Sequence, residues 1–401
     1  EYSPDVAGNF VYQAITVDER YSFLCDLPEL TISIIEQKET QQSILDDAEQ
    51  IQLRIGEEDA PSNLKINLLS QPWGITKEKM SFSWENSLEG NMTKQSAYRI
   101  VISSRMNQTE TGEYVYDSGW QEDDNNTSVL LDPSDSLQDN ELYYWLVPLR
   151  NTEGKESSLS LPQAFSTAVG DAWSSKQGIW GSSEERVVFL RREIDIPEGV
   201  EKAVLSVTAL DGTTSRQYVY NMFVNGEEIG LGPVRPDGNK LDYDTYDITE
   251  QLQPGKNVLG AIAYAENNQA FLCQLTVYLS DGSKQIITNS GQDRGNWRVM
   301  DGDPVFVGTS NSSIGTVYYS AIQDNLDMTK YPEGWLDTGF SQPGWVSPSA
   351  NDRFASYTLR PSQNDHYRHY EVNPQSVERQ ADGSYLVDFG KEIIGTIKIR
   401  V

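Results

Sequence analysis

With 401 residues, 37% of them hydrophobic and 10% aromatic, the chain exceeds what one hydrophobic core supports, so about three or four domains are expected. Sixty acidic against 31 basic residues give a net charge of −29, which repels phosphate backbones and anionic lipid surfaces and so argues against nucleic-acid and membrane binding. No stretch approaches the ~20 apolar residues of a membrane span, and Cys25 and Cys273 supply neither a disulfide framework nor a metal-ligand spacing.

Residues 1–63 open on the polar EYSPDVAGNF. Leu30, Ile32 and Ile34 then alternate, as do Ile51, Leu53 and Ile55, and each set reads as a strand. Between them, EQKETQQSILDDAEQ (36–50) would equally form a short surface helix, and GEEDAPSN (56–63) reads as a linker. The segment is expected to be a small β extension or the end of a preceding domain. The chain starts at Glu1 without a signal-like apolar stretch and reads as a processed or trimmed piece. An extracellular or cell-surface bacterial location is the expectation, a cytoplasmic one the alternative.

From 64 to 167, the runs MSFSW (80–84), AYRIVISS (97–104), YVYDSGW (114–120), TSVLL (127–131) and LYYWLVPLR (142–150) are spaced by turn-rich segments. That is the pattern of a sandwich of about seven strands, fibronectin type III or immunoglobulin in kind. Trp84, Tyr98, Tyr143, Tyr144 and Trp145 are its expected core anchors, with sugar binding as the sharper alternative.

Residues 168–296 read as a jelly roll, entered through a linker (168–188) that carries Trp173 and Trp180. FLRREIDIP (189–197) and KAVLSVTAL (202–210) precede Asn225-Gly226, which lies between apolar runs and is a strong hairpin signal. The β-branched and aromatic runs 218–224, 258–264 and 271–279 complete the core strands. From 297 to 401 come short strands broken by YPEGW (331–335), SQPGW (341–345) and LRPSQND (359–365), then SYLVDFGKEIIGTIKIRV, as in part of a further β-sandwich. No helical domain is visible. The fold class is therefore all-β, with tandem sandwiches.

Signatures of nucleophilic hydrolases are missing: there is no G-x-S-x-G, and the only histidines, His366 and His369, sit in the polar DHYRHY and read as loop residues, a zinc site needing a third partner. Gly230-Leu231-Gly232-Pro233 lacks the third glycine and βαβ context of a nucleotide loop and reads as the turn after a strand. Sixty carboxylates give no basis for picking a glycosidase pair. Asp237, Asp242, Asp244 and Asp247 form the one acidic cluster with the ligand type calcium requires, solvated loop charge being the alternative. For a sugar, the candidates are Arg235, Asp237, Tyr243, Glu266 and Asn267, which fall in loops of the central domain.

The succession FLRREIDIP, KAVLSVTALDG, VNGEEIG, YDTYDITEQLQPGKNVLGAIAY, LTVYLSDGS, YPEGW, SQPGW and LVDFGKEIIGTIKIRV resembles the N-terminal half of the bacterial α-L-rhamnosidases of glycoside hydrolase family 78. The preceding NLLSQPWGITKEKMSFSW, AYRIVISS, DSGW and YYWLVPLRNTEGKES are similar to the fibronectin-like domain that opens those enzymes. The resemblance implies a jelly roll that binds L-rhamnose with calcium in some members, and a further sandwich. Beyond these it implies a helical (α/α)6 barrel whose two acidic residues carry an inverting hydrolysis. This sequence ends where that barrel would be approached, so no catalytic residue is carried over. The expected function is that of a non-catalytic N-terminal part of a rhamnosidase-like hydrolase, whose partners would be the C-terminal catalytic domain and a rhamnose-containing glycan or glycoside. The alternatives are a stand-alone lectin-like module and a structural spacer.

Overall fold

The computed structural model describes residues 2–6, 9–12, 31–37, 60–86, 94–211, 219–289, 291–307, 325–363, 369–393 and 395–400. They divide into two units, one of residues 1–54 with 366–401 and the other of residues 55–365.

In the larger unit, the strands Ser62–Ile66, Met80–Glu85 and Val129–Leu131 form one sheet. Facing them, Gln163–Ser166, Leu142–Leu146, Val101–Ser103 and Tyr116–Asp117 form another. Two runs expected as single strands are each broken in two. AYRIVISS contributes to Gln95–Tyr98 and Val101–Ser103, and LYYWLVPLR gives Leu142–Leu146 and Leu149–Asn151. Pro148, which has no N–H for a ladder, sits at the second break, and its carbonyl accepts from Arg99 N at 3.0 Å. The expected anchors are buried. Phe82 meets Trp145 edge-on at 4.9 Å, and Trp84 lies 5.2 Å from Tyr98. Each indole N–H is satisfied inside, Trp84 Nε1 by Gln95 Oε1 and Trp145 Nε1 by Gln163 Oε1.

Strand alternation turns Tyr144 away from that core. With Leu142 it packs on Val204 and Tyr278 of the next domain, and its hydroxyl donates to Glu201. Lys284 Nζ donates to Glu141 Oε1 at 2.5 Å, and Thr276 Oγ1 to Asn140 Oδ1 at 3.1 Å, so the two sandwiches share a packed and hydrogen-bonded face.

The central sandwich has a seven-stranded sheet in the order Ser349–Asn351, Gly178–Trp180, Ala270–Leu279, Val200–Leu210, Lys240–Asp247, Thr358–Pro361, with Lys284–Thr288 added on Ala270–Leu279. Against it lies a five-stranded sheet, Glu227–Gly232, Tyr220–Val224, Gly255–Tyr264, Val187–Ile196 and Arg298–Asp301. Leu190, Leu205, Val207, Met222, Leu259, Phe271 and Trp297 fill the space between them. The expected hairpin forms, with φ of 50° at Asn225 and 87° at Gly226, the positive pair that a two-residue turn matched to strand twist requires.

Three expectations are corrected here. The 168–188 stretch is more than a linker, because Gly178–Trp180 joins the sheet. LRPSQND contains a strand, Thr358–Pro361, running parallel to Lys240–Asp247. The boundary at 296/297 does not hold, since Arg298–Asp301, Ser349–Asn351 and Thr358–Pro361 all complete sheets of the central sandwich. Residues 325–346 and Phe306 lay an aromatic cover over the outer face of the five-stranded sheet, where Phe189 is ringed by Phe306, Tyr331 and Trp335.

The smaller unit joins the two ends of the chain. Tyr2–Val6 and Asn9–Tyr12 form a sheet with Tyr385–Asp388 and Ser376–Arg379, and Thr31–Gln37 is flanked by His369–Val372 and Gly395–Arg400. The described strands of the expected 1–63 extension therefore do not stand apart, since Asn9–Tyr12 and Thr31–Gln37 pair with strands of 369–400 and Ser62–Ile66 begins the larger unit. Cys25, His366, the 51–55 strand expectation and nearly all of the 36–50 helix expectation lie outside the described residues. No helix among the described residues is long and apolar enough to cross a membrane.

Candidate functional site

Strand register decides which loops meet. Leu210 pairs with Ala270, Tyr220 with both Gly232 and Ala263, and Val187 with Tyr264. The segments after Leu210, Gly232 and Tyr264, and the one before Val187, therefore emerge at one end of the central sandwich. Arg235, Asp237, Glu266 and Asn267 are all at this end, on 233–239 and 265–269. Arg235, Asp237 and Asn267 are exposed, and Glu266 is half-buried. Tyr264 Oη donates to Glu266 Oε1 at 2.5 Å, and Glu266 N donates to Asp211 Oδ2 at 3.0 Å, fixing the start of the 265–269 loop. Its end is held by Gln269, whose carbonyl accepts from Arg353 Nη1 at 2.7 Å.

Tyr243 does not belong to this set. It lies in the Lys240–Asp247 strand, fully buried, and meets Trp173 edge-on at 5.3 Å, so its ring is core and offers no face to a sugar. The loops 233–239, 265–269 and 181–186 contain no aromatic residue at all. What they present is hydrogen-bonding and charged groups, without the flat apolar face on which a pyranose stacks.

The four aspartates are also placed differently from a loop cluster. Asp242, Asp244 and Asp247 lie on the Lys240–Asp247 strand, where alternation sends Asp247 to the opposite face from the other two. Asp242 is paired with Arg360, which also feels the charge of Asp237. Asp244, almost wholly buried, accepts from Tyr220 Oη at 2.6 Å, and Tyr220 Oη lies 3.3 Å from Tyr246 Oη. Asp247 pairs with Lys202 Nζ at 2.8 Å and caps Thr249 N at 3.0 Å. Among the described residues, no three His, Cys, Asp or Glu side chains come together as a metal site. Gly230 and Gly232 belong to the Glu227–Gly232 strand and serve no turn: a Cβ on Gly232 would fall 2.0 Å from Asp244 Oδ2, and one on Gly230 2.7 Å from the Tyr246 ring. These glycines let the edge strand close over the buried tyrosine and aspartate groups.

Sequence reasoning missed the carboxylates around Glu185. Burial pushes the Glu185 carboxyl above its ordinary value, the charges of Asp301 and Asp303 push the same way, and hydrogen bonds from Ser182 oppose them. Burial and the Asp303 charge raise Asp301 too. A carboxyl raised in the folded state contributes stability that is fully present below its unfolded value and lost as pH rises through the folded one. Glu185→Gln should therefore stabilise the protein at neutral pH. In parallel urea titrations, the advantage over wild type should shrink as pH falls toward 4.5, the ordinary glutamate value. An advantage that is constant with pH would show that Glu185 carries no such penalty.

Two family models match in chain order. Residues 61–171 match the Rha78A-like N-terminal immunoglobulin domain, and residues 198–264 match the alpha-L-rhamnosidase N-terminal domain. An alpha-L-rhamnosidase of Formosa agariphila is 25% identical over 377 residues, an alignment that takes in 84% of this chain and 38% of the relative. One of Streptomyces avermitilis is 27% identical over 257 residues, covering 58% of this chain and 23% of the relative. Among solved structures, the alpha-L-rhamnosidase from Dictyoglumus thermophilum shares the fold, with a TM-score of 0.62 and 21% identity over 82% of this chain and 38% of that one. That of Aspergillus terreus gives a TM-score of 0.58 at 20% identity, with 82% and 38% covered. The chain thus spans 38% of the Formosa relative and less of the Streptomyces one, and its all-β sandwiches correspond to the N-terminal portion of such proteins.

Proposed function

We propose that this chain is the non-catalytic N-terminal part of an α-L-rhamnosidase-like glycoside hydrolase, which in its full form removes terminal L-rhamnose from a glycan or glycoside with inversion. The observation that carries this reading is the order of the two family matches, an immunoglobulin domain at 61–171 followed by a rhamnosidase N-terminal domain at 198–264. The shared fold over 82% of the chain supports it.

Within this reading the sandwiches act as scaffold. Their most conspicuous ionisable side chains are committed to holding strands together, as with Asp242 on Arg360, Asp247 on Lys202 and Arg192 on Asp293. The chain is expected to release no p-nitrophenol from p-nitrophenyl α-L-rhamnoside, whereas the full-length protein containing it should. Turnover by the chain alone would overturn the reading. A lectin-like role predicts heat on calorimetric titration with L-rhamnose, and no heat would remove it.

A further inference from the structure

We propose that Asn225 is a deamidation site that the native fold holds shut and unfolding opens, so that the residue marks chains that have lost their central sandwich. Asn225-Gly226 is the chain's single Asn-Gly pair. Deamidation begins when the backbone nitrogen of the following residue attacks the asparagine carboxamide carbon, and a glycine, with no side chain, shields that nitrogen least. The bond from Gly226 N to Asn225 Cγ forms, the Cγ–Nδ2 bond breaks, and the proton lost from Gly226 N to solvent water is returned by solvent to Nδ2, which leaves as ammonia. Water then opens the cyclic imide at either carbonyl, leaving aspartate or isoaspartate at 225. Solvent water is the only co-reactant.

In the folded protein the turn is exposed to water, yet the carboxamide is fully engaged. Asn225 Nδ2 donates to Gln251 O at 2.7 Å and to Asn257 Oδ1 at 2.8 Å, while Asn225 Oδ1 accepts from Val258 N at 2.8 Å. Both amide protons and the oxygen are thus held by the 251–258 segment, and the backbone N of Asn225 is bound to Val258 O at 2.9 Å. To reach Gly226 N, the carboxamide must rotate away from the 251–258 segment and break all three of these bonds at once.

The product is also excluded. A carboxylate at 225 has no proton to donate and would face two acceptor oxygens, Gln251 O and Asn257 Oδ1. Asn257 cannot turn its amide round to help. Its Nδ2 is held by Gln253 O at 2.6 Å and Gly255 O at 2.9 Å, and its Oδ1 accepts from Gln253 N at 2.9 Å. Conversion in an unfolded chain therefore blocks the return of the hairpin to its place.

The test incubates the intact chain in mildly alkaline buffer with and without urea. It then follows aspartate and isoaspartate at residue 225 by peptide mass spectrometry and isoaspartyl methyltransferase labelling. Conversion in native buffer should be at least roughly tenfold slower than in urea, the factor that ~1.4 kcal/mol of hydrogen bonding supplies. Equal rates would overturn the gate. Asn225→Asp, the product made genetically, should lower the urea midpoint or prevent folding, whereas Asn225→Asp with an unchanged midpoint would overturn the exclusion of the product.

Discussion

Replacing Arg191 by alanine should cost the larger unit about 3–5 kcal/mol, the range for breaking a buried charged network, and should strip the aromatic cover from the central sandwich. Arg191 follows Leu190 on the Val187–Ile196 strand, so it points away from the core that Leu190 enters. Its guanidinium is buried all the same. Nε donates to Trp335 O at 2.8 Å, and Nη2 to Asp337 O at 3.0 Å and to Glu193 Oε1 at 3.2 Å, with the Phe340 ring centre 5.2 Å away. Glu193 Oε1 also accepts from Gly339 N at 2.8 Å. One side chain thus ties down the 335–340 turn at Trp335 and Asp337, and removing it takes the donor from the buried Trp335 carbonyl. Because Trp335 stacks on Trp345 at 6.2 Å, loss of the cover should appear as a red shift of tryptophan emission together with the lower urea midpoint. Arg191→Lys should recover only part of the loss, since an ammonium cannot reproduce the planar fork. An alanine variant within about 1 kcal/mol of wild type would remove Arg191 from this role.

Gly232→Ala should be the other large loss, about 3 kcal/mol, at the upper end of what overpacking costs. The added carbon would lie 2.0 Å from Asp244 Oδ2 and 2.5 Å from Tyr220 Oη, and both groups are buried and bonded to each other, so neither can swing aside into solvent. Gly226→Ala is the control. Nothing lies within 4 Å of its added carbon, but its φ is 87°, so only the cost of a left-handed backbone, about 1–2 kcal/mol, should appear. If chemical denaturation ranks Gly226→Ala as the worse of the two, close approach is not what Gly232 provides.

These two positions also show where sequence reading stops. The strands around Asn225-Gly226 were legible because one face of each is apolar and the turn needs positive φ at both residues. The Lys240–Asp247 strand was not, because its polar side chains are buried on both faces: Asp244 meets Tyr220 on one, and Tyr243 meets Trp173 on the other. LDYDTYD therefore looked like an acidic loop, and both the sugar role of Tyr243 and the loop cluster of Asp242, Asp244 and Asp247 came from that impression. Its parallel neighbour, Thr358–Pro361, is 118 residues away, as the Asp242–Arg360 pair shows, and no local pattern announces a pairing at that distance. Within the FLRREIDIP strand, alternation buries the consecutive Arg191 and Arg192 one on each side. Arg192 turns inward to Thr288 O and Asp293. For the candidate end of the sandwich, the placement of Arg235, Asp237, Glu266 and Asn267 on loops at one end follows from antiparallel strands returning to the same end. That Tyr243 and the other aspartates are occupied elsewhere depends on side-chain direction, which the alternation of a two-sided buried strand conceals.

The pairing of the chain's two ends imposes an order on its birth. Among the described residues, Thr31–Gln37 finds its partners at His369–Val372 and Gly395–Arg400, and Asn9–Tyr12, which has Tyr2–Val6 on one edge, finds its other neighbour at Tyr385–Asp388. At ribosomal speeds of ~5–20 residues per second, the first strands made wait on the order of tens of seconds for the last. Meanwhile the immunoglobulin-like and central sandwiches, whose partners all lie between residues 62 and 361, can close. Throughout that interval the strands Asn9–Tyr12 and Thr31–Gln37 carry unpaired edges, and it is there that a holdase has its longest opportunity and a neighbouring nascent chain its easiest wrong pairing.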